Sequence, residues 1–244
     1  MPRREEAWSP VGPDMRRLYN LSAARFAFAN VERGWLKVSR LADLNDPFEM
    51  LSANLRDQEL RAAFKAAKRR VHDSHGVVCF TETWRNPVMW SHYGDKHAGV
   101  CLGYDVGDEL TTPIRYNHRL QRVAKAELPP EEEYTDFFVD RFLTWKFSDW
   151  EYEQERRIVI NLADTVEEAG HAFIPTSNRL VLREVILGPR FTEPIDPIRR
   201  RVEHLPVRVT KARIAFTKFG VTEDRRFRSD GGGAPSGASP KGSA

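Results

Sequence analysis

Three glutamates alternate along the chain just before a short apolar run. If the backbone is extended there, Glu151, Glu153 and Glu155 share one face. Like charges at this spacing repel one another unless a cation or a hydrogen-bond donor offsets them. Arg156 and Arg157 follow at once and can supply that positive charge. The pattern indicates either a paired-carboxylate site at the start of a strand or a solvated strand edge held by ion pairs.

A second group of residues that could bind a ligand or take part in catalysis lies between two apolar runs. Trp90, His92 and Tyr93 are close together in the sequence. Aromatic rings beside a titratable imidazole can form the wall of a pocket for a planar ligand. We therefore expect a catalytic role for His92, while a core histidine bonded to the backbone explains the same pattern.

The two cysteines do not have the spacing of a metal site. Cys79 and Cys101 each lie within an apolar, strand-like run. The sequence holds no Cys-x-x-Cys or His-x-x-x-His pair, which are common spacings for zinc ligands. No metal is expected, and both thiols are expected to be buried and reduced.

A third polar segment, residues 39–49, allows two interpretations that are compatible with each other. Asp46, Pro47 and Glu49 match an N-cap, a first-turn proline and an N3 glutamate, which predicts a short capped helix. The same exposed turn can present Ser39, Asn45 or Asp46 to a ligand.

The elements that must position these residues are predicted from hydrophobic periodicity and helix signals. Helices are predicted up to Gly34, over residues 57–72 and over residues 131–145. Strands are predicted at residues 17–19, 35–39, 77–81, 98–104, 156–162, 180–187 and 205–219. Because helices and strands do not alternate strictly, we predict an α+β fold with mixed or antiparallel sheets and about three flanking helices.

Length and composition predict one domain with loose ends. The chain has 244 residues, of which 41% are hydrophobic and 11% aromatic, enough for a substantial core. Residues 1–13 are expected to be flexible, residues 14–222 to form a single domain, and the Gly/Ser/Pro-rich residues 223–244 to be disordered.

Charge and hydropathy restrict the choice of partners only weakly. The net charge of +3 allows a phosphate-bearing partner without requiring one. No apolar run approaches the ~20 residues of a membrane helix, and no signal-peptide stretch is present. We therefore expect a cytoplasmic protein with no membrane partner.

Several of these segments resemble the bacterial domain-of-unknown-function family 2971 (DUF2971). The likeness rests on Asn-Asp-Pro-Phe-Glu at residues 45–49, Met-Trp-Ser-His-Tyr at 89–93, and Trp-Glu-Tyr-Glu-Gln-Glu-Arg at 150–156. Leu-Tyr at 18–19, Cys-Phe-Thr at 79–81 and Gly-Val-Cys at 99–101 extend it over residues 18–219. The family pattern has one residue between its last glutamate and its arginine, so Arg157 matches better than Arg156.

A more distant resemblance to ADP-ribosyltransferases implies a mechanism and NAD as the cofactor. Those enzymes place an aromatic or basic residue on an early strand, a hydroxyl on a second strand, and a glutamate at the start of a later one. Tyr19, then Ser39 or Tyr93, then Glu155 stand in that order here.

That resemblance also implies roles for individual residues. Glu155 would stabilise the cation that forms when the nicotinamide–ribose bond breaks, and Glu153 would orient or deprotonate the acceptor. Tyr93 or Trp90 would stack on the nicotinamide, and Arg157 or Arg17 would meet phosphate.

Two other classes of function remain open at this point. Basic runs at residues 65–70, 199–201 and 225–226 are compatible with a nucleic-acid-binding module. A metal-dependent nuclease would in addition hold a divalent cation on Glu151, Glu153 and Glu155. In a non-catalytic interaction protein, the Trp and Tyr residues would belong to the core and to an interface.

Overall fold

The computed structural model describes residues 14–227. The predicted flexible start, residues 1–13, lies outside this range, and so does most of the predicted tail. The first residues assigned to that tail belong to the fold, because a strand ends at Glu223 and Arg225–Phe227 forms a 3-10 turn.

Thirteen strands form within the described residues. They are β1 (Met15–Ser22), β2 (Trp35–Arg40), β3 (His75–Thr81), β4 (Val100–Gly107), β5 (Thr112–Pro113), β6 (Arg115–Asn117), β7 (Trp145–Phe147), β8 (Glu155–Asn161), β9 (Val166–Glu168), β10 (His171–Pro175), β11 (Leu180–Leu187), β12 (Arg208–Ile214) and β13 (Val221–Glu223). Five α-helices accompany them: α1 (Ala24–Arg33), α2 (Gln58–Ser74), α3 (Pro87–His92), α4 (Tyr134–Phe142) and α5 (Ile195–Arg201).

One large mixed sheet organises the fold. Its strands run in the order β13-β12-β11-β4-β1-β3-β2-β10-β9, with β8 paired to β3 and β5 paired to β8. β11 and β12 are parallel, whereas the pairs of β1 with β4 and of β3 with β8 are antiparallel. Strands β6 and β7 form a separate parallel pair. The predicted α+β class with mixed sheets is confirmed.

The helices cover both faces of this sheet. Apolar residues of α1 and α5 pack with β3 and β8 side chains such as Val78 and Ile158 on one face. Residues of α2 and α4 pack on the other face, against Val77 and Val159. Successive side chains of a strand point to opposite faces, so each of these strands contributes to both cores.

Helix α2 follows its sequence pattern closely. Asp57 is the N-cap and accepts a hydrogen bond from the backbone N–H of Leu60. The predicted apolar stripe of Leu60, Phe64, Ala67 and Val71 is the set that the helix buries. Gly34 ends α1 in the left-handed conformation, at φ 64°, as its position predicted.

The predicted helix over residues 131–145 is shorter than expected. A 3-10 turn at Glu131–Glu133 leads into α4, which ends at Phe142. Trp145 instead begins β7 and pairs with Arg115 of β6. This early end allows the residue after Trp145, Lys146, to point into the interior of the protein.

The sheet divides at β3. One edge of β3 pairs with β8 along the whole strand. Its other edge is shared, because Thr81 pairs with Tyr19 of β1 while Val77 pairs with Ser39 of β2. Strands β1 and β2 therefore diverge along β3, and a cleft opens between them on the face that α2 covers.

None of the helices between residues 14 and 227 is long and apolar enough to cross a membrane.

Candidate functional site

A polar cavity of about 230 Å³ lies where β1 and β2 diverge. Its walls come from four strands of the large sheet, from β7 and the 3-10 turn that follows it, from the turns between β2 and α2, and from α3 and its C-terminal end. The residues that line it are Tyr19, Asn20, Leu21, Lys37, Ser39, Asp43, Leu44, Asn45, Glu49, Cys79, Phe80, Thr81, Met89, Tyr93, Lys146, Glu153, Glu155 and Arg157.

Arg157 is the centre of the ion pairs behind this cavity. Its side chain is only 1% exposed and contacts both Glu49 and Glu155. Its Nε donates to Glu155 Oε1 at 2.7 Å, and Nη2 donates to Glu49 Oε2 and to Glu155 Oε2, each at 3.1 Å. Nη1 donates to the Leu143 carbonyl at 2.8 Å. A guanidinium can be buried this deeply because its N–H groups find these acceptors.

Lys146 provides the second buried cation. Its Nζ donates to Glu153 Oε2 at 2.5 Å and to Glu155 Oε2 at 3.0 Å. It also lies 5.0 Å from the centroid of the Trp150 ring. Burial alone would lower the pKa of Lys146, but Glu155 and Glu153 outweigh it and raise that pKa. No local pattern marks this role in the sequence, because Lys146 is a single lysine between two aromatic residues, Trp145 and Phe147.

The two carboxylates differ in their affinity for a proton. Burial alone would raise the pKa of Glu155, yet Arg157 and Lys146 outweigh it and lower that pKa to about 2. Burial is the dominant influence on Glu153 and raises its pKa, although Lys146 and Tyr93 oppose the shift. Glu155 is therefore a fixed negative charge, whereas Glu153 is the carboxylate on which a proton is held more readily.

A left-handed residue brings these two carboxylates together. Residues Ser148–Glu153 form a 3-10 turn, and Gln154 then adopts φ 45° before β8 begins at Glu155. The chain is not extended from Glu151 to Glu155, so the condition for one shared face of three glutamates is not met. Glu151 is exposed, while Glu153 and Glu155 are buried. The predicted pairing of carboxylates exists, but with two members rather than three.

A hydrogen-bonded side-chain series links Glu153 to the turn before α2. The Tyr93 hydroxyl donates to Glu153 Oε1 at 2.5 Å, and Asn45 Nδ2 donates to the Tyr93 oxygen at 2.8 Å. Burial raises the pKa of Tyr93, and its contact with Glu153 adds to the shift. The phenol is therefore protonated at neutral pH and donates to the carboxylate.

The strand side of the cavity carries the hydroxyl and thiol groups. Tyr19 and Ser39 approach it from the two diverging strands. Asn20 Nδ2 donates to the Cys79 carbonyl at 2.9 Å and so bridges the gap between β1 and β3. Burial raises the pKa of the Cys79 thiol well above its usual value. That thiol is consequently a poor nucleophile at neutral pH.

Seven of the ten residues proposed from the sequence line this one cavity. They are Tyr19, Ser39, Asn45, Tyr93, Glu153, Glu155 and Arg157. Sequence reasoning missed Lys146, Lys37 and Cys79. It included Glu49 in the polar segment of the site but expected its side chain to cap a helix, whereas Glu49 is the partner of Arg157.

The other three proposed residues lie elsewhere. Trp90 is fully buried in the core, and its indole N–H donates to the Trp84 carbonyl at 2.6 Å, so its ring has no free face for a ligand. The Asp46 carboxylate is buried and accepts the Phe48 N–H at 2.9 Å. His92 is exposed, outside the cavity lining, where its ring lies 6.0–6.5 Å from three aromatic neighbours.

The predicted short helix at residues 46–49 was wrong. The Asp46 carbonyl accepts the Glu49 N–H at 3.1 Å, but the chain forms turns rather than a helix. Glu49 does not return to cap the backbone, because its side chain turns inward to Arg157. The partner of Glu49 is thus a residue distant in sequence rather than the backbone of its own turn.

Lys146 also borders a second cavity of about 290 Å³ on its other side. That cavity is mostly apolar, with Phe48, Trp145 and Phe147 among its lining residues. Phe48 and Phe147 remain largely exposed to solvent. One lysine therefore separates a polar cavity from an aromatic one.

Within residues 14–227, no group of three His, Cys, Asp or Glu side chains is arranged to hold a metal ion. The exposed position of Glu151 separates it from Glu153 and Glu155, which already contact Lys146. The three-glutamate cation site required by a nuclease mechanism is thus not formed by these residues.

The fold and the site together define a mixed α+β protein with a charged cavity at a division in its sheet. Comparisons with protein-family models, with curated proteins and with solved structures find no match. The function of the protein is accordingly inferred from the geometry of the cavity.

Proposed function

We propose that the cavity is the active site of a nucleotide-using transferase of the ADP-ribosyltransferase type, with NAD as the donor. One observation carries the proposal. Tyr19, Ser39 and Glu155 come from three different strands, and all three line the same cavity. This is the order and type of residue that the resemblance to such enzymes requires.

We also propose that the chain is a member of family 2971. The segments that carry this resemblance are far apart in sequence, yet Asn45, Tyr93 and Glu153, one from each, form a single hydrogen-bonded series. A shared chemical role for these segments explains why they meet.

The charge of the site suits a reaction that develops positive charge. Glu49, Glu153 and Glu155 contact the buried cations Lys146 and Arg157, and the half-buried Lys68 lies near Glu49. Glu155 lines the cavity among them as an ionised carboxylate. Cleavage of the nicotinamide–ribose bond creates a cationic ribose. A fixed negative site beside that ribose stabilises the transition state more than the ground state.

Each carboxylate then has a distinct task. Glu155 stays ionised because Arg157 and Lys146 hold its pKa low, so it supplies fixed charge. Glu153 has a raised pKa and a hydrogen bond from Tyr93, and it accepts the proton of the incoming nucleophile. Lys146 and Arg157 position these two groups.

The size of the cavity limits what part of the donor enters it. Whole drug-sized ligands occupy about 300–1,000 Å³, and this cavity is smaller. We therefore place the nicotinamide and its ribose inside, with the diphosphate at the mouth. Lys37 is exposed there and provides a cation for phosphate.

The first test compares wild type with Glu153→Gln and, as a matched control, Glu151→Gln. The control removes the same charge from an exposed position two residues away. We expect NAD to raise the melting temperature of wild type and control, and both to consume NAD slowly. Loss of a general base should reduce the rate of NAD loss by about 10²–10⁴-fold in Glu153→Gln.

Two outcomes would overturn the proposal. One is the absence of any thermal shift and of any NAD loss with folded wild-type protein at saturating NAD. The other is an equal loss of activity in Glu151→Gln and Glu153→Gln. Circular dichroism of all three proteins separates a catalytic defect from a folding defect.

A further inference from the structure

Three large apolar side chains are exposed together at one edge of the sheet. Residues 215–220 connect β12 to β13, and the Ala215 N–H donates to the Gly220 carbonyl at 2.9 Å to close this loop. Phe216 is 82% exposed, Phe219 is fully exposed, and Ile214 at the base is 62% exposed. Scattered apolar residues are normal on a surface, but a cluster of them indicates a contact site.

Cations are interleaved with these rings. The segment 208–227 contains six basic residues and two acidic ones. The Arg213 guanidinium lies 4.4 Å from the centroid of the Phe216 ring, and Lys218 stands between the two phenylalanines. Arg85 Nη1 donates to Thr222 Oγ1 at 3.4 Å, and Thr222 pairs with Arg213 across the strands. Arg85 therefore joins the same edge.

Two basic runs that are separate in sequence meet at the end of the β12–β13 pair opposite this loop. Arg199, near the end of α5, donates to the Phe227 carbonyl at 2.6 Å. Lys211 Nζ lies 5.1 Å from the centroid of the Phe227 ring. These contacts join the run at residues 199–201 to the run at residues 225–226. Asp196 and Asp224 pair with one arginine of each run, while Arg200 and Arg225 are exposed.

We propose that this edge, which we call the aromatic-basic edge (Arg85, Arg200, Arg213, Phe216, Lys218, Phe219 and Arg225), binds single-stranded nucleic acid. Unpaired bases stack on exposed aromatic rings, and interleaved cations meet the phosphates between them. Aromatic rings and cations alternate along this loop, in the order Arg213, Phe216, Lys218 and Phe219. A duplex keeps its base faces covered, so an exposed phenylalanine favours a single strand.

The arrangement of the cations distinguishes this partner from a lipid surface. A loop that inserts into a bilayer has an apolar tip, and its charged residues lie away from that tip, near the lipid headgroups. Here Arg213 lies directly against Phe216, and Lys218 is within the tip itself. Insertion would carry these charges toward hydrocarbon, which is costly. A ring with a guanidinium beside it is instead a good surface for a nucleobase.

The aromatic-basic edge is independent of the cavity. β13 is four strands away from β1 in the sheet. None of the edge residues lines the polar cavity. Failure of the transferase proposal would therefore leave this one intact, and the reverse also holds.

The test is fluorescence anisotropy of the full chain with labelled poly-uridine and poly-deoxythymidine, and with a duplex of matched length, over a series of salt concentrations. We expect the affinity for both single strands to exceed that for the duplex. A difference between the RNA and DNA arms identifies which single strand the edge prefers. Phe216→Ala together with Phe219→Ala should weaken single-strand binding by about tenfold or more, since each stacked ring contributes substantially.

Charge variants supply the second arm and its matched control. Arg213→Gln with Lys218→Gln should reduce the slope of log affinity against log salt by about 0.7 for each phosphate that is no longer neutralised. Lys65→Gln with Arg69→Gln removes the same charge from α2 and should leave the affinity within about twofold of wild type. Equal weakening by the α2 pair, no single-strand binding by wild type, or binding to phosphatidylserine vesicles in its place would overturn the proposal.

Discussion

The cavity and the aromatic-basic edge use the same residue types in opposite ways. In the cavity, Arg157 and Lys146 are almost completely buried, and each contacts two carboxylates. At the edge, Arg200, Arg225 and Lys218 are exposed to solvent. Buried cations hold side chains in fixed positions, whereas exposed cations remain available to a partner.

This difference predicts different responses to mutation and to salt. A buried charge that loses its partner keeps its desolvation penalty, so the cost appears in the stability of the fold. A surface charge that loses its partner is hydrated again at little cost. Substitutions in the cavity should therefore change stability first, and substitutions at the edge should change binding.

The largest effect is expected from Arg157→Met. Removal of the guanidinium leaves Glu49 unpaired and Glu155 with Lys146 alone. Removing one partner of a buried ion pair lowers the free energy of unfolding by about 3–5 kcal/mol. Urea unfolding measures this change, with Arg213→Met at the edge as the control, for which we expect less than about 1 kcal/mol.

A second substitution sharpens this result. Arg157→Met combined with Glu49→Leu removes the stranded carboxylate and should recover part of the lost stability. If Arg157→Met alone unfolds at the same urea concentration as wild type, the cluster does not stabilise the fold.

The next-largest effect is expected on the free energy of unfolding at acidic pH. The pKa of Glu155 is about 2 in the folded protein, below the ordinary glutamate value of 4.5. The stabilisation from its ionised form is thus present above pH 4.5 and is lost as the pH falls toward 2. Wild type should lose stability by a few kcal/mol over this range.

Glu155→Gln lacks that titration. Its free energy of unfolding should be lower at neutral pH but should fall less steeply with acid. Unfolding curves at several pH values, fitted for both proteins, give the two slopes. Parallel slopes would show that Glu155 is not held ionised by Arg157 and Lys146.

A smaller effect is expected from Tyr93→Phe. The substitution keeps the ring but removes the hydroxyl that donates to Glu153 and accepts from Asn45. A net hydrogen bond of this kind contributes about 1 kcal/mol to stability. Thermal unfolding measures the loss, and Tyr134→Phe on α4 is a control without a hydroxyl bond in this cluster. A loss above that of Arg157→Met would mean that the phenol, rather than the ion pairs, holds the site together.

The smallest effect on stability belongs to Phe219→Ser. This ring is fully exposed, so its removal should change the unfolding free energy by less than about 0.5 kcal/mol. Single-strand binding should still weaken clearly. A large stability loss in urea would mean that the ring packs against part of the protein, and the contrast between the two regions would fail.

Periodicity and helix signals predicted the framework of the fold because they are local. The stripe on α2 and the stop at Gly34 depend on neighbouring residues, and both were correct. The turn at Asp46 carries equally clear local signals for a helix, yet it forms none. There Glu49 pairs with the distant Arg157 instead of capping its own turn.

The same distinction explains what could be predicted of the site. Alternation in the sequence paired Glu153 with Glu155, and the grouping of aromatic residues selected Tyr93, but neither pattern predicted that Tyr93 donates to Glu153. Trp90 and Tyr93 are three residues apart at one short helix, and no local sequence signal distinguishes them. Trp90 nevertheless lies in the core, whereas Tyr93 lines the cavity. Lys146 has no local signal either, because its importance comes from two carboxylates that reach it from the next turn and strand.

The separation of Glu49 and Arg157 along the chain also bears on how the protein is made. They are 108 positions apart, so a ribosome must release the chain beyond Arg157 before the pair can form. Strand β1 likewise pairs with β4 only after a long intervening stretch has been synthesised. Until then, the turn at Glu49 stays hydrated and β1 lacks its β4 partner, and an open strand edge of this kind is prone to pair with other chains.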